Sequence, residues 1–162
     1  MSAEIAEPAL NEDFVDLLRA FDEAGVDFLV IGAHALAVHG VLRATGDLDV
    51  LVRPDPAVAA RVIEGLRAFG APLATHAVGV TDFAREGTVY QMGLPPRRID
   101  VLTSISGVGY EEAAADAVTV TVSGVRFRVI GRAALLVNKR ASGRPKDLED
   151  VRRLELGDTE PA

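Results

Sequence analysis

The sequence predicts a single α+β domain, in which one mixed or largely antiparallel β-sheet is flanked by helices and the chain ends in a helical pair. Three observations support this prediction. The 162 residues are 49% hydrophobic and 25% charged, which suits one globular domain. Segments with apolar residues at helical spacing are interspersed with short segments typical of strands. Val118 to Val129 combines strict alternation with a central Ser-Gly turn, the pattern of a β-hairpin.

The helices are predicted from apolar spacing together with start and stop residues. In the first helix Phe14, Leu17, Leu18 and Phe21 recur at helical spacing, and Gly25 suits a left-handed helix end. The third helix opens with an aspartate N-cap followed by proline, and the last opens with proline. In chain order the predicted helices span residues 12–24, 33–39, 56–69, 132–141 and 146–155.

The strands are predicted from short apolar or alternating runs bounded by turn residues. The run at 28–31 is continuously apolar and ends at a glycine, whereas the run at 47–52 alternates. In chain order the predicted strands span residues 28–31, 47–52, 73–78, 89–94, 98–102, 118–122 and 125–129. Residues 1–10 and 157–162 lack periodicity, so we expect frayed ends around one domain at 11–156.

Composition excludes several classes of function. With 24 acidic and 17 basic residues the net charge is −7, which argues against a broad basic surface for nonspecific nucleic-acid binding. The absence of cysteine excludes disulfides, thiolate zinc sites and cysteine nucleophiles, so any metal must be bound by carboxylates or by the three histidines. No signal peptide or membrane-spanning run is visible, so we expect a cytoplasmic protein without membrane partners.

Three aspartates occupy equivalent places in two predicted strands. The period of two puts Asp47 and Asp49 on one face of their strand, and Asp100 has the same position in the strand at 98–102. If these strands are neighbours, about 4.8 Å apart, the carboxylates converge. Clustered like charges are stable at neutral pH chiefly when a divalent cation neutralises them, which predicts a Mg²⁺ site, with Mn²⁺ as a substitute. The alternative, three solvated aspartates, fits poorly with the low strand propensity of Asp.

A glycine turn precedes the first aspartate strand. The strand at 28–31 runs into Gly32 and Ala33 and then into a short helix, whose first backbone N–H groups suit an anion. Such a turn alone is more typical of an ordinary chain reversal. Its place immediately before the aspartate strand predicts that phosphate-binding amides and metal-binding carboxylates lie on adjacent elements.

These motifs together resemble the signature of the nucleotidyltransferase superfamily related to polymerase beta. The matching stretches are Val30-Ile31-Gly32-Ala33, Arg43-Ala44-Thr45-Gly46-Asp47-Leu48-Asp49-Val50 and Ile99-Asp100-Val101. The sequence is also similar to small bacterial single-domain members, including the toxin-type nucleotidyltransferases of abortive-infection systems. Lys139 and Arg144-Pro145-Lys146-Asp147 match the later helices of that group. The resemblance extends over residues 28–153.

The resemblance implies the nucleotidyltransferase fold and a transfer of a nucleoside monophosphate from an NTP to a hydroxyl acceptor, with release of pyrophosphate. It implies that Asp47 and Asp49 bind the metals that carry the triphosphate, and that Asp100 completes the second metal site and activates the acceptor hydroxyl. Gly32 and the N–H of Ala33 would hold phosphate. The family has Gly or Ser where this chain has Ala33, which offers a backbone donor but no hydroxyl.

Basic residues near these motifs are candidates for nucleotide contacts. The chain has fifteen arginines and only two lysines, Lys139 and Lys146, and an ammonium does not replace a guanidinium fork. We expect both lysines to contact the triphosphate; the alternative is cations that stabilise a helix end. Arg43 is expected to contact phosphate or acceptor, or to be a solvated loop cation. Thr45 is expected to stabilise a turn.

Acceptor and partners are open at this level. A tRNA or other RNA end, a small-molecule hydroxyl and a protein side chain are all compatible acceptors, and a cognate antitoxin or a homodimer is a possible assembly. A different class of function is a catalytically silent member of the same fold that binds nucleotide or a partner protein. A metal-dependent phosphodiesterase or nuclease is disfavoured, because the net charge is acidic and no histidine lies near the acidic motifs.

Overall fold

The computed structural model describes residues 2–4 and 10–157. Its strands are β1 (Ser2–Glu4), β2 (Phe28–Ile31), β3 (Asp47–Val52), β4 (Val89–Met92), β5 (Arg98–Leu102), β6 (Val118–Val122) and β7 (Val125–Val129). Its helices are α1 (Glu12–Glu23), α2 (Gly32–Val38), α3 (Pro56–Phe69), α4 (Leu73–His76), α5 (Val80–Phe83), α6 (Tyr110–Ala115), α7 (Arg132–Ser142) and α8 (Pro145–Glu155).

The described strands form one seven-stranded mixed sheet with the order β1-β6-β7-β2-β3-β5-β4. β2 and β3 are antiparallel, whereas β3 and β5 are parallel neighbours. The hairpin β6–β7 has the predicted bounds, and β4 forms the edge next to β5. The predicted α+β class, with a mixed sheet flanked by helices and a C-terminal helical pair, is confirmed.

A single cluster of buried apolar residues joins the sheet to the helices. The helix ends follow the predicted signals: the Asp55 carboxylate accepts from the N–H of Val58 at 2.9 Å, and Gly70 ends α3 with a φ of 99°. Gly65 in α3 lies against Phe21 of α1, where an added Cβ would fall 2.7 Å from the ring. The missing side chain therefore lets these two helices pack closely.

The predicted strand at 73–78 is wrong, because this segment forms the short helix α4. The N–H of His76 donates to the carbonyl of Pro72 at 3.0 Å, and only Leu73 of the helix is buried. A single helical turn and a short strand can each bury one side chain. The apolar pattern of this segment therefore did not distinguish a helix from a strand. The predicted strand at 89–94 ends at Met92, because Gly93 turns the chain with a φ of 73°.

The two ends differ in how far the structure describes them. Ser2–Glu4 pairs in parallel with β6, which differs from the frayed segment expected at 1–10. Residues 1, 5–9 and 158–162, where the rest of the expected frayed ends fall, lie outside the described residues. Within the described ranges, no helix has both the length and the apolarity needed to cross a membrane.

Candidate active site

The three aspartates meet because β3 and β5 are parallel neighbours. Asp49 pairs in register with Asp100, and Asp47 pairs with Arg98. Leu48, between the two β3 aspartates, is fully buried, so the alternation holds the carboxylates on the opposite face. The adjacency on which the sequence-based prediction depended is therefore present.

Gly32 brings the end of β2 against this face. It has a φ of 73°, and a Cβ added there would collide with Oδ2 of Asp49. Only a glycine combines this left-handed backbone with so close an approach to the carboxylate. The glycine turn and the aspartate strand thus lie next to each other, as the sequence order predicted.

Gly32→Ala should therefore lower the free energy of unfolding by more than Gly40→Ala. Both positions have a positive φ, at which alanine costs about 1–2 kcal/mol, but an added Cβ at Gly40 meets nothing within 4 Å. The collision with Asp49 adds to the cost at Gly32 alone. Urea unfolding of the two variants measures the difference, and equal losses would contradict a close approach of Gly32 to the carboxylate.

Arg98 completes the group and was not predicted as a site residue. Its Nη2 donates to Oδ2 of Asp47 at 2.8 Å, and its Nε lies 3.4 Å from Oδ1 of Asp100. The signal was present, because Arg98 and Asp100 are two residues apart in one strand and share a face. Gln91 of β4 lies beyond Asp100, with its Nε2 3.5 Å from Oδ2 of that residue.

This crowding changes the acidity of Asp49. Burial, followed by the neighbouring Asp100 and Asp47 carboxylates, raises its pKa to about 7, while Arg98 acts in the opposite direction. The carboxyl group is therefore half protonated near neutral pH when no cation is bound. Such a shift marks a site that favours the arrival of positive charge.

In metal-free protein Asp49 should make the folded state less stable as the pH rises from about 4 to about 7. An unfolded Asp carboxyl ionises near pH 3.8, whereas the folded Asp49 keeps its proton until about pH 7. Within this window the folded state binds more protons, so each increase in pH favours unfolding. Urea unfolding in EDTA should show this slope in wild type and in Asp16→Asn, an exposed control on α1, but not in Asp49→Asn. Equal slopes in all three proteins would contradict it.

The opposite wall is built by α7, α8 and the loop before β3. Lys139 of α7 is buried, and its Nζ lies 3.3 Å from Oδ1 of Asp147 and 3.2 Å from Oδ2 of Asp150. Asp150, fully buried, also pairs with Arg43. The predicted Lys139 thus lies at this wall, but two carboxylates of α8 hold its ammonium group. Asp150 was missed because a single Asp in a helix, three residues after another, carries no distinctive pattern.

Asp147 holds a second arginine at the same wall. Its Oδ2 accepts from Nε of Arg144 at 2.7 Å and from the hydroxyl of Ser142 at 2.7 Å. Burial raises the pKa of Asp147, but the hydrogen bonds from Arg144 and Ser142, together with Lys139, outweigh it and lower the pKa to about 2. Lys146, by contrast, is exposed and forms no ion pair with any residue that the structure describes.

Asp150→Asn should lower the free energy of unfolding by about 3–5 kcal/mol, because it leaves the partly buried Arg43 and the buried Lys139 short of a negative charge. The matched control is Glu149→Gln on the exposed side of the same helix, where the carboxylate pairs only locally with Arg152. That control should leave stability unchanged. Chemical denaturation of both variants tests the prediction, and an equal response would show that the buried cluster contributes nothing.

The two walls enclose one cavity of about 740 Å³. All eight residues that the sequence singles out line it: Gly32, Ala33, Arg43, Asp47, Asp49, Asp100, Lys139 and Lys146. Arg98, Arg144, Asp147 and Asp150 line it as well. None of the three histidines does, and the hydroxyl of Thr45 accepts from the N–H of Asp47 at 3.1 Å, as expected for a turn residue.

The donor chemistry of the aspartate face fits a hard divalent cation, but the side chains are not gathered around one point. Oδ1 of Asp47 and Oδ1 of Asp100 are buried and accept no hydrogen bond. Carboxylate oxygens of this kind are ligands that Mg²⁺ prefers. Within residues 10–157, however, no three Asp, Glu or His side chains are arranged so that they could hold a metal ion together. Arg98 lies between two of the carboxylates concerned.

Fold and site together define the class of protein. A crystal structure from Thermotoga maritima, described as that of a candidate nucleotidyltransferase, aligns with a TM-score of 0.60 at 14% sequence identity, over 94% of this chain and 96% of that chain. At this identity the similarity shows the fold, so the chain has the nucleotidyltransferase fold that its motifs implied.

The sequence identifies the family. Residues 10–159 match the model of a family described as nucleotidyl transferase of unknown function (DUF2204), and the chain therefore belongs to that family. The superfamily resemblance drawn from the motifs is confirmed. A search of the curated proteins found no significant match.

Proposed function

We propose that this protein transfers a nucleoside monophosphate from a nucleoside triphosphate to a hydroxyl acceptor, in a Mg²⁺-dependent reaction that releases pyrophosphate. One observation carries the proposal: three aspartates on adjacent strands face a wall of arginine and lysine across a single cavity. Membership of a nucleotidyl transferase family supports the reaction class. The volume of the cavity, about 740 Å³, suits a small-molecule substrate such as a nucleotide.

Asp47, Asp49 and Asp100 would hold the metal ions. Two buried oxygens that accept no hydrogen bond, Oδ1 of Asp47 and Oδ1 of Asp100, support this assignment. When bound, Mg²⁺ would neutralise the charge of the triphosphate and polarise its phosphoryl oxygens. Mn²⁺, which also favours carboxylate ligands, should substitute for it.

We assign to Asp100 the acceptance of the proton from the attacking hydroxyl. Asp100 lies on the strand next to Asp49, and its carboxylate faces the cavity through a side chain that is 11% exposed. A general base needs a free lone pair at the hydroxyl that it deprotonates, and Oδ1 of Asp100 accepts no hydrogen bond.

The basic wall would receive the triphosphate. Lys146 and Arg144 are exposed at the cavity, and Lys146 has no ion pair with any other described residue, so both can approach phosphate oxygens. Arg43 and Lys139 are held by Asp150, and we assign to them the positive potential of the wall. Gly32 and the backbone N–H of Ala33 lie on the aspartate side, where they would donate to phosphate.

The acceptor can be an RNA end, a small-molecule hydroxyl or a protein Ser or Tyr. The similarity to toxin-type nucleotidyltransferases extends the proposal to a cognate antitoxin or a second copy of the chain as partner, and to the cytoplasm as location. One feature favours a second candidate function, nucleotide binding without turnover: Ala33 stands where the superfamily signature that the motifs resemble has Gly or Ser.

Asp49→Asn should reduce transfer of label from α-labelled ATP, CTP, GTP or UTP by about 10²-fold or more, because it removes a carboxylate ligand of the metal that would stabilise the transition state. The assay contains Mg²⁺ and one acceptor of each class, and pyrophosphate release is followed in parallel. Asp16→Asn makes the same chemical change on the exposed surface of α1 and should match wild type.

Equal product from wild type and Asp49→Asn would refute the catalytic role of the aspartates. Thermal stabilisation of wild type by an NTP with Mg²⁺, with no turnover on any acceptor, would replace the transferase by the nucleotide-binding function.

A further inference from the structure

Four side chains on β3 and β5 form a square on the cavity face of the sheet. Asp47 and Asp49 are two residues apart on β3, Arg98 and Asp100 are two residues apart on β5, and the register pairs Asp47 with Arg98 and Asp49 with Asp100. Three corners carry a carboxylate and the fourth carries a guanidinium. No property of the sheet requires a cation at the fourth corner, so its presence among three acids calls for a role.

We propose that Arg98 is an internal counter-ion that occupies the carboxylate site in the metal-free protein and competes with the divalent cation for Asp47 and Asp100. Release of the guanidinium from these two residues accompanies metal entry. Arg98 therefore sets the metal affinity of the site. This inference rests on the proposed metal-binding role of the three aspartates.

The contacts of Arg98 are directed at two of the three carboxylates that would bind the metal. Its Nη2 donates to Oδ2 of Asp47 at 2.8 Å, and its Nε lies 3.4 Å from Oδ1 of Asp100. One guanidinium thus bridges two carboxylates on different strands. With the guanidinium in this place, the described part of the chain has no three acidic groups arranged to hold a cation together, although the carboxylate oxygens are of the kind that Mg²⁺ prefers.

The guanidinium leaves some polar atoms of the site without a hydrogen bond, so a metal ion can replace it. Oδ1 of Asp47 and Oδ1 of Asp100 accept no hydrogen bond, and Nε of Arg98 donates none. A buried polar atom without a partner costs free energy, and a divalent cation would engage these oxygens. The Arg98 side chain is 33% exposed, so it has a route towards solvent along the cavity.

The opposite role for Arg98 makes the opposite prediction. If the guanidinium instead held Asp47 and Asp100 in the geometry that a metal requires, its removal would weaken metal binding. If it competes with the metal, its removal leaves three uncompensated carboxylates and strengthens binding. The direction of the change in affinity therefore separates the two roles.

The experiment is a titration with Mn²⁺, followed by electron paramagnetic resonance of the free ion, in the absence of nucleotide. Arg98→Gln should bind Mn²⁺ about tenfold more tightly than wild type, since a nearby positive charge has been removed. Its melting temperature without metal should fall, and the rise caused by Mn²⁺ should exceed that of wild type. Arg98→Lys, which keeps the charge but cannot bridge both carboxylates, should lie between the two.

Arg97→Gln is the matched control, because it removes the same charge from the neighbouring residue. Arg97 pairs with Asp13 of α1 at 3.1 Å and does not line the cavity. Its Mn²⁺ affinity should remain within about twofold of wild type, because an exposed charge is screened by salt. An equal increase in Mn²⁺ affinity in Arg97→Gln and Arg98→Gln would show that only the net charge matters, and it would overturn the proposal.

Unchanged or weaker Mn²⁺ binding by Arg98→Gln would also overturn it. If wild type binds Mn²⁺ and Asp49→Asn abolishes the binding, such a result removes only the role of Arg98 and leaves the proposed function intact. If neither wild type nor Arg98→Gln binds Mn²⁺, the metal-dependent function and the counter-ion role both fail.

Discussion

The site depends on the electrostatic repulsion among three carboxylates that the β3–β5 register forces together. Asp49 lies directly beside Asp100, and Leu48 and Val101 anchor the two strands in the core, so the acids cannot separate without breaking the sheet. The repulsion is relieved in two ways in the metal-free protein. Asp49 keeps its proton up to about pH 7, and Arg98 contacts the other two carboxylates. Both are responses to a deficit of positive charge.

In the opposite wall several basic side chains lie close together, and their mutual repulsion must also be compensated. Asp150 and Asp147 of α8 are buried within the wall, and each contacts two of the cations. Lys139 is placed between these carboxylates in the contact between α7 and α8. A compact ammonium fits this buried position, whereas the planar fork of arginine suits the more exposed edge, where Arg43 and Arg144 lie. This accounts for a lysine at 139 in a chain with fifteen arginines and only one other lysine.

Sequence patterns predicted those parts of the structure that follow from local rules. Strict alternation placed Asp47 and Asp49 on one face, and caps and glycines fixed the ends of α1 and α3. The prediction that the three carboxylates converge had to assume that β3 and β5 are neighbours. Periodicity within a strand does not report which strand lies beside it. The single turn of α4 was misread for a related reason, since one buried leucine defines no period. The spacing of Arg98 and Asp100 in one strand indicated that they share a face, but the contact of Arg98 with Asp47 depends on the strand pairing. Asp150 pairs with residues on other elements, and no spacing within one segment reports such pairs.

The net charge of −7 for the whole chain does not reflect the charge of the cavity lining. The lining carries five aspartates and five basic side chains, and most of them are paired within the walls. After these pairings, Asp49 and Lys146 are the lining charges for which the structure describes no ion pair, one on each wall. A triphosphate accompanied by a divalent cation brings positive charge to the first and negative charge to the second. This arrangement supports the proposed metal–nucleotide substrate, and the overall acidity of the chain is no argument against it.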